Sequence, residues 1–348
     1  VFCGGGEGGS GQSSVNTMEY VTIAQLGNTV DFGDLIQTRS NHATCSSPTR
    51  GIIAGGYMAP GQTNGIEYIT ISTLGNGAEF GDLAVTAGTY GTSGCSNAVR
   101  GIFTLGVVQP AHTNILNFIT IATLGDAKDF GDVNTSNKYG AGNTASPTRA
   151  VFGGGYTEPS SPYLKDIMDY VTIAQTGNAV DFGNLSNASR VTASVNSTTR
   201  GVFGLAHPGA GNILDFITIS TTGNVTDFGD RTVASDYPTA TSNSTRGLFA
   251  GGDAPGDAAN NVINFITIAT TGNAIDFGDL LSRRTRFVGA TSSSTRALFA
   301  GGNSPSQDNV IQFVEFSTTG DAVDFGDLST TASFGSSGGT ISNGHGGL

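Results

Sequence analysis

The chain has 348 residues, of which only 12% are charged, and its net charge is −12 at pH 7. Lys128, Lys138 and Lys165 are its only lysines. Nucleic acid and anionic membrane surfaces need clustered basic residues, so neither is an expected partner. No apolar run approaches the roughly 18–20 residues of a membrane-spanning helix, so no membrane insertion is expected.

The chain opens with Val1-Phe2-Cys3-Gly4-Gly5, an apolar strand closed by a double glycine. A second strand-like run leads to Gly27-Asn28 and then to Asp31-Phe32-Gly33-Asp34. Variants of this last motif recur with their phenylalanines at 32, 80, 130, 182, 228, 277 and 325. A period near 50 marks a repeat architecture. Each full unit has four pieces. A small polar stretch comes first. A Thr-Arg run ending in paired glycines follows, as in Arg50-Gly-Ile-Ile-Ala-Gly-Gly56. The third piece is an Ile- and aromatic-rich run such as Ile66-Glu-Tyr-Ile-Thr-Ile71, and the Asp-Phe-Gly-Asp strand is last. A Gly-Asn or Gly-Asp pair precedes that last piece in all seven units, where it predicts a tight hairpin turn. The third run is nearly continuously apolar, which suits a sheet packed on both faces.

No segment carries a helical period. The expected fold is all-β: a seven-bladed β-propeller of four-stranded antiparallel blades, one domain over residues 1–348. The first blade takes 1–35 plus about 333–345, so that the C-terminal strand completes the N-terminal blade and His345 falls where other units have Arg. The other blades take about 40–83, 88–133, 138–185, 190–230, 236–280 and 286–328. The chain begins without a Met or a signal sequence, and is expected to be a domain of a longer polypeptide.

The order of these pieces resembles the kelch repeat over almost the whole chain. In that family the first strand is innermost, the second ends in a double glycine, the third carries an aromatic and the fourth a large aromatic. This chain has no Trp, and the Phe of Asp-Phe-Gly-Asp stands in its place. The Asp-Phe-Gly-Asp-Leu units with Thr-Arg-Gly-Val-Phe-type strands are also similar to repeats in structural and fibre proteins of tailed phages. That resemblance implies a virion or extracellular location, with other virion or assembly subunits or cell-surface glycans as partners.

Motifs with a chemical look are repeat residues. Asp-Phe-Gly lacks the glycine-rich loop, strand lysine and catalytic loop that a kinase requires. Arg50, Arg100, Arg149, Arg200, Arg246 and Arg296 recur once per unit, as do acids such as Asp34, Asp82 and Asp132, with Asn184 as the exception. The arginine and one acid are expected to link blade elements or neighbouring blades by charge-assisted hydrogen bonds. His42, His112, His207 and His345 sit at unrelated unit positions, so no metal site is expected. Cys3, Cys45 and Cys95 read as small, buried, free thiols. No catalytic residue and no cofactor is expected.

Function is then sought where the units differ. The loops between second and third strands vary (Glu7–Ser14, Tyr57–Asn64, Val107–Asn114, Tyr156–Asp166, His207–Asn212, Asp253–Asn261, Asn303–Asn309), as do the stretches leading into first strands. Both sets should share one face, the default binding surface. The leading stretches carry Arg39, Tyr90, Tyr139, Arg190, Tyr237, Phe287 and Phe334, an aromatic and arginine rim expected at the mouth of an axial channel. The expected role is a non-enzymatic structural or adhesive module of a virion or fibre. A secreted carbohydrate-binding lectin is the alternative, and a propeller enzyme a third class.

Overall fold

A computed structural model describes residues 1–7, 13–58, 61–108, 110–134, 141–157, 163–189, 193–205, 211–256, 258–285, 287, 289–303, 306–332 and 339–342. The described chain is all-β, without a helix. It forms seven main antiparallel sheets in chain order. Sheet 2 is representative: Ala43–Ser46, Arg50–Ala54, Gly65–Thr70 and Ala78–Asp82 lie side by side in sequence order. Sheets 3, 4, 5 and 7 repeat this order, and sheet 6 adds the short strand Asp253–Ala254. Sheet 1 differs in connectivity. Its second to fourth strands are Phe2–Glu7, Ser13–Tyr20 and Val30–Asp34, and Gly339–Thr340 supplies the first by pairing with Phe2–Cys3. Val1 N also donates to Ile341 O (2.7 Å) and Ile341 N to Val1 O (2.9 Å).

The repeated phenylalanine is the extra residue of a β-bulge. In sheet 2, Ile66 faces Gly81 while Glu67 faces Glu79, so Phe80 has no opposite number. The same register shift falls at Phe32, Phe130, Phe182, Phe228, Phe277 and Phe325. A bulge bends the strand and re-aims a side chain, and here the ring turns into the core. All seven are buried, each set edge-on to the third-strand aromatic of its own sheet at 5.7–6.1 Å. Phe228→Ala is therefore expected to cost about 3–5 kcal/mol, read as a lower urea midpoint with an unchanged m-value.

The bulge also equips the outer strand to hold the next sheet. Between sheets 1 and 2, Gly75 N donates to Phe32 O (2.8 Å), Gly77 N to Asp34 O (2.8 Å) and Asp34 N to Asn76 Oδ1 (3.0 Å). Equivalent triplets join each later pair. They also join sheet 7 to sheet 1, where Gly27 N meets Phe325 O, Thr29 N meets Asp327 O, and Asp327 N meets Asn28 Oδ1. The Gly-Asn pair is thus a docking tab. The connection around it in sheet 2 runs from Thr70 to Ala78, longer than the tight hairpin turn expected from sequence. The tab covers an outer strand whose edge would otherwise be open. The contact engages only the backbone of Asp34 and its counterparts, so Asn184 serves equally well (Val225 N to Asn184 O, 3.0 Å).

Arginine and acid do not pair as expected. The six repeat arginines lie with the guanidinium 4.4–5.0 Å from the third-strand ring of their own sheet. Each then donates from Nη1 to a backbone carbonyl of the next sheet: Arg50 to Ile121 O (2.9 Å), Arg100 to Ile173 O (2.9 Å), Arg149 to Ile219 O (3.1 Å), Arg200 to Ile268 O (3.0 Å), Arg246 to Phe316 O and Arg296 to Ile23 O (3.1 Å). Arg296 alone of the six also reaches an acid among the described residues, Glu315 (2.6 Å). The first acid of the motif acts locally, as where Asp31 Oδ1 accepts from Gly33 N (2.9 Å).

Candidate binding face and first-strand cavity

The two variable sets of segments lie together. Ser40 and Tyr57 exchange backbone hydrogen bonds (2.9 and 2.7 Å), as do Asp236 and Asp253 (2.7 Å each) and Thr285 and Asn303 (3.2 and 2.8 Å). In unit 3 the contact lengthens into a small ladder, Thr89–Tyr90 against Val107–Val108. Every stretch leading into a first strand named here is thus paired with the second-to-third-strand loop of its own unit.

Of the seven rim residues expected from sequence, Tyr139, Arg190 and Phe334 lie outside the described residues. Tyr90 and Tyr237 are half-buried on the variable segments, Tyr237 with φ +49°. Arg39 and Phe287 are interior. Phe287 is 8% exposed and leans on Phe299 with ring centroids 6.3 Å apart, in the core between sheets 6 and 7.

Arg39 is 1% exposed, donates from Nη1 to Gly55 O (3.0 Å) and Gly65 O (3.1 Å), and pairs through Nη2 with Glu67. It fastens the end of one fourth strand to the neighbouring sheet and has no open face for a ligand. Burial lowers the Arg39 pKa, and the Glu67 charge and hydrogen bond oppose that shift. Two further fourth-strand arginines are held in different ways, Arg284 by an acid of the next sheet and Arg231 by groups of its own sheet. Arg284 pairs with Asp308, and Arg231 donates to Ser235 Oγ (2.7 Å) and Ser235 O (3.0 Å). Burial brings Arg231 down to about 10, which still leaves it charged at neutral pH.

His42 packs beside Arg39. Burial, reinforced by the Arg39 charge, lowers its pKa from the ordinary 6.5 to about 3, against a raising contact with the Cys3 backbone. The unfolded chain takes a proton near pH 6.5 that folded His42 refuses until about pH 3. Stability from this residue is complete above pH 6.5 and falls with pH across that window, by at most about 1.4 kcal/mol per pH unit. Urea unfolding of the native chain and of His42→Leu at intervals from pH 7 to 4 is expected to show the steeper acid loss in the native chain.

The polar residue of the third strand, which the sequence reading did not single out, makes a second sevenfold clasp. Glu19, Glu67, Asn117, Asp169, Asp215, Asn264 and Gln312 are all buried. Each accepts a hydrogen bond from the segment after the Asp-Phe-Gly-Asp motif of the preceding sheet. Glu67 Oε2 takes Ile36 N (2.8 Å), Asn117 Oδ1 takes Ala84 N (2.7 Å), and Asp215 Oδ2 takes Ser186 N (2.9 Å) and Oγ (2.7 Å). Gln312 Oε1 takes Leu281 N (2.7 Å), and Glu19 closes the set onto Ser329. Burial raises the Asp215 pKa, opposed by the Ser186 bonds. One polar residue beside the aromatic of an otherwise apolar strand, in every unit, is the signal that marks it.

Successive first strands contact one another, and Gly339–Thr340 touches both Gly289–Ser292 and Ala43–Ser46. Their side chains hydrogen-bond from strand to strand, as where Ser96 Oγ meets Ser46 O (2.9 Å), Asn196 Nδ2 meets Ala145 O (2.9 Å) and Ser292 Oγ meets Ser242 O (2.9 Å). A cavity of about 430 Å³ is lined by Thr44, Ser46, Ser96, Asn143, Asn196 and Thr340 from these strands. It offers hydroxyls, amides and carbonyls. Cys45 and Cys95 belong to apolar clusters between sheets; all three thiols are free and buried, and burial pushes Cys3 and Cys95 up to about 12. Among the described residues no group of three or more His, Cys, Asp or Glu is placed to hold a metal ion, and no helix is long and apolar enough to cross a membrane.

No protein-family model matches this chain, and no curated protein sequence matches it.

Proposed function

We propose that the chain is a kelch-like seven-bladed β-propeller that works as a non-enzymatic structural or adhesive module, on a virion or fibre or otherwise outside the cell, serving assembly or attachment to host-surface glycans. One observation carries the binding-module reading. The recurring arginines, the backbone of the Asp-Phe-Gly-Asp strand and the third-strand polar residues are engaged in contacts between sheets, while the segments that differ from unit to unit are paired at one end of the sheets. A scaffold that repeats, carrying loops that do not, is suited to recognition. The propeller reading is supported by the docking triplets that run from each sheet to the next and from sheet 7 back to sheet 1. The virion assignment rests on the resemblance of the Asp-Phe-Gly-Asp-Leu units to phage repeats.

A lectin is the second reading. It is favoured by the half-buried Tyr90 and Tyr237 on the variable segments, since sugars stack on aromatic faces amid hydroxyl and amide groups. A glycan array probed with the native chain and with a Tyr90→Ala/Tyr237→Ala variant tests both. Glycan binding lost in the variant supports the lectin. Stoichiometric capture by isolated virion subunits with no glycan binding supports the assembly role, and neither kind of binding overturns both. Class averages in the electron microscope test the architecture: a ring of seven units is expected, and an open arc would refute it.

A further inference from the structure

One recurring hydrogen bond links the first strands, and unit 4 interrupts it. At the last position of the strand, a side chain donates to the backbone carbonyl at the same position of the preceding first strand. Ser46 Oγ meets Ser342 O (3.4 Å), Ser96 Oγ meets Ser46 O (2.9 Å) and Asn196 Nδ2 meets Ala145 O (2.9 Å). Ser242 Oγ meets Asn196 O (3.3 Å), Ser292 Oγ meets Ser242 O (2.9 Å) and Ser342 Oγ meets Ser292 O (3.4 Å). Unit 4 carries Ala145 at this position, where it packs in one apolar cluster with Cys95 of the preceding sheet. A methyl group cannot donate, so among the described residues no side chain reaches Ser96 O. Both strands concerned, Ser93–Ser96 and Gly142–Ala145, lie in the middle of the chain and are described throughout.

The space beside Ala145 opens into the cavity of about 430 Å³ that the first strands line. Residues 143 and 145 share one face of their strand, roughly 7 Å apart along it. Asn143 also lines the cavity, and its Oδ1 is buried without a hydrogen-bond partner. Two acceptors are therefore left over at two levels, Ser96 O and Asn143 Oδ1. Pro48, Ala98 and Pro147 add apolar wall, and no charged side chain is among the described residues that line the cavity.

The geometry points to a binding site in this cavity for a single neutral sugar ring or a cyclic polyol of the same size. One hydroxyl donates to Ser96 O, as a serine does in the other units. A second hydroxyl, across the ring, donates to Asn143 Oδ1, and the C–H face rests on the apolar wall. The serine hydroxyl hydrogens are already engaged on carbonyls, so the surface left over accepts and the guest must donate. An ammonium or metal ion would lose its hydration with no countercharge to replace it, whereas a neutral hydroxyl has far less to lose. The volume falls in the range of about 300–1,000 Å³ that small-molecule sites occupy. The site is separate from Tyr90 and Tyr237 on the variable segments, and it does not depend on the function proposed above.

The test titrates the 1–348 chain calorimetrically with D-glucose, D-galactose, D-mannose and myo-inositol. At least one of the four is expected to bind saturably at one site per chain. Ala145→Ser supplies the absent donor and fills the space, and should weaken that compound about 10-fold or more. Its melting temperature should equal or exceed that of the native chain, which shows that the variant is folded. Asn143→Ala, checked for folding in the same way, should weaken binding about 2–10-fold. The Tyr90→Ala/Tyr237→Ala variant should bind as the native chain does, which separates this site from glycan recognition on the variable segments. No saturable binding of any of the four, or native affinity in folded Ala145→Ser, overturns the site. Binding lost in the tyrosine variant and kept in Ala145→Ser would place the sugar on the variable segments and overturn it equally.

Discussion

Deleting Ser333–Leu348 is expected to lower the unfolding free energy by about 5–10 kcal/mol and the melting temperature by roughly 10–20 °C. The deletion removes the strand Gly339–Thr340 with Ile341, the one point where the two ends of the chain share a sheet. Ile341 is 2% exposed and packs with Cys3, Met18, Ile53 and Ile69. A Cβ at Gly51 would stand 2.6 Å from its Cδ1, so the side chain fills the space that this glycine leaves. Losing a buried Ile costs about 2–5 kcal/mol, part of it for the cavity left behind. The two bonds exchanged with Val1, the Thr340 Oγ1–Ala290 O bond (3.2 Å) and the Ser342 Oγ–Ser292 O bond (3.4 Å) go with it. Each is worth about 0.5–1.5 kcal/mol. Ile341→Ala alone should recover the cavity part, about 2–5 kcal/mol. Thermal melts of the three chains check the ordering, and a deletion that melts with the native chain would show that the strand carries no stability.

The strands of the seven main sheets were legible because backbone conformation is a local matter, while the short extra strands of the variable segments were not. A run such as Ile66–Ile71 sets its own extended course, and its apolar residues reveal that both faces are covered. What lay hidden was which polar group meets which. Arginines and acids each recur about once per unit and carry opposite charge, so pairing them was the natural expectation. The register forbids it. Arg50 stands opposite Thr70 at one end of the third strand, and Asp82 opposite Gly65 at the other. With a rise of about 3.3 Å per residue, that separates them by roughly 16 Å. The bulge was hidden for a related reason: Asp-Phe-Gly-Asp reads as a strand whether or not one of its residues is skipped by the partner. Arg39 and Phe287 show the same limit at the candidate site. An Arg or Phe in a variable stretch has the same letter on an open rim as in the interior. Only the position of Glu67 and Phe299 decides that both residues turn inward.

The glycine of the bulge gives the sharpest test of how the sheets dock, because two glycines of one contact differ in a single respect. Gly229 and Gly272 meet across the boundary between sheets 5 and 6, with φ of +136° and +150°. Both conformations disfavour a side chain, at about 1–3 kcal/mol each. A Cβ on Gly272 would meet nothing within 4 Å, whereas one on Gly229 would lie 2.6 Å from the carbonyl carbon and oxygen of Gly272 and 2.7 Å from Asn273 N. Those atoms are backbone and cannot swing aside. Gly229→Ala must therefore part the sheets. Doing so strains the bonds Gly272 N–Phe228 O (2.7 Å), Ala274 N–Asp230 O (2.8 Å) and Asp230 N–Asn273 Oδ1 (3.1 Å). Gly272→Ala is expected to cost about 1–3 kcal/mol, and Gly229→Ala about 4–7 kcal/mol once bonds worth about 0.5–1.5 kcal/mol each are added. Urea unfolding of the two variants measures the difference, which belongs to the contact between sheets and not to the backbone strain they share. Equal losses would mean that the sheets meet with room to spare at this point, and that the sevenfold glycine answers only to the bulge.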